Sequence, residues 1–97
     1  MKISRTVWID DQVKWNVLRK REIYKKNRYN GKAYIVCTSP HPKLLFEIIE
    51  AKQLNDWYSE STMVALCKNR QRALEVVKSL IDTIYNEKTK TYEELQQ

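Results

Sequence analysis

A single glycine in 97 residues leaves nothing from which to build a glycine-rich phosphate loop. With only two prolines, the chain also lacks the composition of a linker or a low-complexity segment. The two cysteines, Cys37 and Cys67, stand in separate apolar stretches, which excludes a dense disulfide framework and makes reduced, buried thiols the expectation. The one histidine, His41, lies between Pro40 and Pro42, so general acid–base chemistry would have to rest on it or on a perturbed carboxylate. No apolar run approaches the roughly 18 to 20 residues that cross a bilayer, and nothing behind Met1 reads as an apolar leader. A soluble, cytoplasmic protein with no membrane partner is expected.

What is present suffices for a core. Hydrophobic residues make up 42% of the chain, with three Trp and six Tyr, enough to offset the entropy of ordering one domain over residues 1–97. Charge is unevenly placed: residues 1–48 hold 11 basic and 4 acidic side chains, whereas residues 49–97 hold 7 and 8. The chain's net charge of +6 therefore arises in its first half. A basic surface of this kind attracts polyanions by counterion release and speeds encounter with them, although many basic surfaces are simply solvated.

Periodicity gives the elements. Ala73, Leu74, Val76, Val77, Leu80, Ile81, Ile84 and Tyr85 recur at three- and four-residue steps, which predicts an amphipathic helix from about residue 70 to 86, with Asn69 as its N-cap and Leu80 and Ile81 under a sheet. Residues 62–67 form a short apolar run without a helical stripe and read as a buried strand. A strand is also expected over residues 32–38, stopped by Ser39-Pro40-His41-Pro42. Residues 44–51 fit a strand or a helix, the phenylalanine and paired isoleucines favouring the strand. In the first third, Val13, Trp15 and Val17 alternate with Lys14 and Asn16, and Asn30-Gly31 suits a type I′ turn, so strands and a hairpin are predicted. The rival reading is a helix from Asp11 ending at Gly31. The resulting fold is α+β: an antiparallel sheet of about five strands with the C-terminal helix on one face, followed by a frayed polar tail over residues 88–97.

Little here suggests catalysis. Cys37 precedes His41 by four residues, but its place in a strand makes it a small buried hydrophobe before it makes it a nucleophile. Cys37, His41 and Cys67 supply three zinc ligands where four are needed, and Asp10-Asp11 reads as turn chemistry rather than a cation site. No metal or cofactor is expected, nor an enzyme.

Three segments could bind a partner. The first holds Arg19, Arg21, Tyr24, Lys25, Lys26, Arg28, Tyr29 and Lys32, within a stretch of seven basic residues and one acid over residues 19–32. As a hairpin it would present cations to phosphates and rings to bases. The plainer alternative makes the tyrosines core and the charges a guard on an edge strand. The second, Asn69, Arg70 and Arg72, places cations at a helix start against the macrodipole, where they would be explained by a recruited anion or absorbed by Glu75. The third, Trp57 and Tyr58, lies in a polar loop, as partner-binding anchors or with one ring closing the core. Together these favour a non-enzymatic module that binds nucleic acid or another polyanion through a basic hairpin. The alternative is an adaptor whose basic half and Trp57-Tyr58 loop meet an acidic protein surface.

Overall fold

The run Thr62-Met63-Val64-Ala65-Leu66-Cys67 carries no charge on either side, a pattern that suits only a strand covered on both faces. In the computed structural model, which describes residues 1–97, it is a strand in which every residue is buried. The elements run β1 (Lys2–Ile9), α1 (Val17–Lys26), β2 (Tyr34–Thr38), β3 (Phe46–Glu50), β4 (Thr62–Cys67), α2 (Arg70–Asp82) and α3 (Tyr92–Leu95). Short 3₁₀ turns at Ala51–Gln53 and Asp56–Tyr58 lead from β3 to β4.

The architecture is α+β, with a four-stranded mixed sheet in the order β1-β4-β2-β3. This corrects the expectation of about five antiparallel strands: β1 pairs parallel with β4, and only the β4–β2 and β2–β3 pairs are antiparallel. The uncertain segment 44–51 does contain a strand, β3, paired with β2 from Thr38–Phe46 to Tyr34–Glu50.

The missing strands are those drawn from residues 13–32. Val13 is buried in a loop, and Asn16 caps a helix by accepting from the Arg19 amide at 2.9 Å. That helix, α1, ends at Asn27, whose left-handed φ of 51° and ψ of 48° turn the chain away. A type I′ hairpin needs positive φ at both central residues, yet among non-glycine residues only Asn27 and Lys88 have it, so Asn30-Gly31 makes no such turn. Gly31 answers a different need: a Cβ there would stand 2.9 Å from Cε1 of the buried Tyr29 ring. The rival helix reading is right in kind, but α1 begins six residues after Asp11 and stops before Gly31.

A bulge in β4 divides the interior. Val36 pairs with Ala65 and Cys37 with Met63, leaving Val64 as an extra residue. Met63 and Leu66 therefore enter one core with Ile23 of α1, Tyr29, Ile35, Cys37 and Ile49. Val64, Ala65 and Cys67 enter the other with Val36, Ala73 and Leu95, against Val76, Val77, Leu80 and Ile84.

Two further expectations change. Leu80 packs on the second core, but Ile81 is 40% exposed: one residue on from Leu80, it is rotated by about 100° off the buried stripe. Residues 88–97 do not simply fray either. Thr91 caps α3, the Tyr92 hydroxyl donates to the Leu45 carbonyl at 3.0 Å, its ring stands 5.6 Å from Phe46, and Leu95 is 3% exposed. After α2 the chain passes through one π-helical turn, Thr83–Glu87, and leaves it at Lys88. No helix is long and apolar enough to cross a membrane.

Core truncation should follow this division. Leu66→Ala and Leu95→Ala are each expected to lower unfolding free energy by about 2 to 5 kcal/mol in urea melts. Ile81→Ala should change it by less than about 1 kcal/mol, in keeping with its exposed side.

Candidate nucleic-acid interface

The basic segment lies on α1 and the loop that follows it. Only Ile23 of the helix is buried, while Val17, Leu18, Arg21, Tyr24 and Lys25 share the side turned to solvent. Removing the seven cations and one acid of residues 19–32 from the chain's totals of 18 and 12 leaves 11 of each sign, so this segment holds the whole net charge. None of its cations is in a salt bridge. The three pairs present are Lys2–Glu60, Lys52–Glu50 and Arg72–Glu75. Lys25 and Lys26 at the C-terminal end of α1 are favoured there by the helix dipole.

The segment's residues do not share one role. Arg19 is half-buried, its guanidinium 5.4 Å from the Tyr29 ring centre and bonded to the Asn30 carbonyl, which ties the loop back to the helix. Tyr29 is 4% exposed, and its hydroxyl donates to the Lys14 carbonyl at 2.5 Å. Burial pushes that phenol above the usual tyrosine value, against the pull of Arg19. Tyr29 is thus a core residue, not a surface for stacking. Tyr24, by contrast, is 62% exposed, and Arg21, Lys25, Lys26, Arg28 and Lys32 are exposed with it.

The Trp57 loop meets this surface. Asn27, the C-cap of α1, donates from Nδ2 to Oδ1 of Asp56 at 2.9 Å, and Asn55 caps the 3₁₀ turn by accepting from the Trp57 amide at 2.8 Å. Trp57 is 65% exposed beside the end of the helix, whereas Tyr58 packs on the first core. Neither Asn27 nor Asp56 is marked in the sequence by any pattern that would pair them across 29 residues.

The start of α2 is arranged differently. Asn69 Oδ1 accepts from the Arg72 amide at 2.8 Å, and Arg72 reaches Glu75 at 3.3 Å, so cap and charge are satisfied within the helix. Arg70 is exposed. At the end of β1, the buried Asp10 accepts from the amides of Gln12 and of Lys68, just before α2. Burial would raise its carboxyl, but these amides hold it below the usual aspartate value.

Lys32 faces a cleft of about 330 Å³ lined also by Tyr34, Glu50, Lys52 and Lys68. An adjoining cleft of about 350 Å³ is lined by Arg28, Tyr29, Asn30 and Leu54.

The sulfur chemistry is inert. Burial first, and Glu47 second, push the Cys37 thiol up to about 12, while burial and Asp10 push Cys67 up to about 11. His41 is exposed, its Nδ1 accepting from the Lys43 amide at 3.3 Å, and Cys37 has no thiolate to offer it. No three His, Cys, Asp or Glu side chains come together to hold a metal ion. Comparison with known proteins gives no matching family model, no matching curated protein and no matching solved structure.

Two outcomes are expected from these environments. Because both folded thiols are raised, the stability they lend is whole below the unfolded thiol value and is lost as pH climbs, from about 9 towards about 11 for Cys67 and about 12 for Cys37. Iodoacetamide at pH 8 should leave both cysteines unmodified in the native protein and label both in urea, as mass spectrometry would read. Separately, Tyr29→Phe should cost about 0.5 to 1.5 kcal/mol by stranding the Lys14 carbonyl, while Tyr24→Phe leaves the melt unchanged.

Proposed function

We propose that this protein is a small non-enzymatic module that binds nucleic acid or a similar polyanion through the solvent face of α1. The observation that carries this is the set of cations in residues 19–32, none in a salt bridge, on a helix with one buried residue and on the loop that follows it. Arg21, Lys25, Lys26 and Arg28 would take phosphates, releasing their counterions, and Tyr24 with Trp57 would supply aromatic faces at the same end of the surface. Arg19 and Tyr29 support the loop from within and are not contact residues in this reading. A cytoplasmic setting, in which Cys37 and Cys67 stay reduced, belongs to it as well.

A second reading has one observation in its favour. Val17 and Leu18 are exposed at the start of α1, which suits the apolar part of a contact with an acidic protein surface.

Mobility shifts with unrelated DNA and RNA oligonucleotides at about 50 and 200 mM salt separate the two. The first reading expects binding that falls steeply with salt, by nearly one unit of log–log slope per phosphate contact on a duplex. Arg21→Gln, Lys25→Gln and Lys26→Gln together should weaken that binding and reduce the slope by about two to three units. The same triple variant should melt within about a degree or two of wild type, since exposed charges add little stability. Absence of any shift at low salt would leave the protein-binding reading in its place.

A further inference from the structure

We infer that the nucleic-acid surface continues off α1 into a basic trough that holds a single strand, with Lys68 and Lys52 as contacts beside Arg28 and Lys32. This rests on the nucleic-acid reading above and extends it to a strand type and to residues far along the chain.

Two adjoining clefts make the trough, because Gly31, Ala51 and Lys52 line both. Arg28, two residues beyond α1, stands in one, and Lys32 and Lys68 stand in the other. Four cations thus converge from the α1–β2 loop, the turn after β3 and the end of β4, against one acid, Glu50. No carboxylate lies within 4 Å of Arg28, Lys32 or Lys68, although the Lys68 charge helps hold the Asp10 carboxyl down from farther away. Lys52 touches Glu50 at 3.3 Å, but that lysine is largely exposed, and a pair of this kind exchanges readily for a phosphate. The half of the chain that supplies Lys52 and Lys68 carries no excess of positive charge, so their grouping is produced by the fold.

The shape selects the strand type. A duplex offers its phosphates on a stiff convex surface, whereas a single strand can lower its backbone into a concavity and turn its bases outward. Gly31, Ala51 and the Lys52 stem form the floor where the two clefts join, so no bulky side chain divides them. Beyond the Arg28 end, exposed Tyr24 and Trp57 offer faces on which outward bases can stack.

The test is fluorescence anisotropy with a labelled oligothymidylate and a duplex of equal length, titrated with wild type, with the double variant Lys32→Gln/Lys68→Gln, and with the α1 triple variant. Neither lysine side chain makes a hydrogen bond or ion pair, so the double variant should melt as wild type does. Lys32→Gln alone serves if it does not. The expected result is a loss of roughly tenfold or more in single-strand affinity for the double variant, with the salt slope lowered by about 0.7 for each lost contact. Duplex affinity should change by less than about twofold. Unchanged single-strand binding in the double variant, with binding weakened in the α1 variant, overturns the trough and leaves the α1 reading standing. Equal losses for strand and duplex overturn the single-strand assignment. If wild type binds neither probe, the nucleic-acid reading fails and the trough with it.

Discussion

Burial of one strand on both faces governs everything else in this fold. β4 has a neighbour on each edge, β1 and β2, and all six of its residues are covered. The bulge at Val64 breaks strict alternation, so the strand gives Met63 and Leu66 to one core and Val64, Ala65 and Cys67 to the other. With no charged side chain to place, β4 requires a layer on each side. α2 and α3 form one layer, and α1, Tyr29 and the turns after β3 form the other. Asp10 then joins β1 to the end of β4 by accepting from the Lys68 amide, fixing where α2 begins.

The two layers are not held equally. α2 sets Ala73, Val76, Val77 and Leu80 against the sheet, while α1 sets only Ile23 there. What keeps α1 in place is mostly polar and terminal: the Asn16 cap, the Asn27 turn with its bond to Asp56, and the Arg19 contacts to Tyr29 and Asn30. A helix fastened at its ends leaves its length free to carry charge. That division lets the basic surface be exposed without taking residues from the core.

Where the sequence was legible, burial and period agreed. The stripe of α2, the apolar run of β4 and the β-branched β2 each had one reading, because a single periodicity satisfied every apolar residue. Residues 13–32 had two. Val13, Trp15 and Val17 alternate, yet Val13 is buried in a loop and Val17 is exposed at a helix start, so the period-two pattern was an accident of two unrelated environments. α1 hides almost no apolar surface and therefore leaves almost no stripe. Its true signal was the pair of asparagines, Asn16 and Asn27, at its two ends. Gly31 drew attention to a turn when its role was to make room for Tyr29. Of the trough's cations, Arg28 and Lys32 fell within the basic segment, but Lys52 and Lys68 had no local signal, since they join it from up to 40 residues away and only in three dimensions.

Replacing the hairpin by a helix changes what the basic segment can do. A ribbon would have put charges on both faces, with tyrosines among them. The helix instead leaves Arg21, Tyr24 and Lys25 together outside, while the loop after it buries Tyr29 against the half-buried Arg19. Arg21 and Lys25 are four residues apart on one face, a like-charge arrangement that costs a helix about 0.2 to 0.5 kcal/mol. Glu22 is the only acid on the helix, and it forms no salt bridge. In the proposed reading that repulsion is relieved when phosphates arrive, so part of the binding free energy is the release of strain that the free helix carries. A ligand that binds only the folded surface raises stability by an amount that grows with the logarithm of its concentration over its dissociation constant. The weakly packed helix and the polyanion would then be complementary: α1 is least supported from within at the place where the ligand supports it from without.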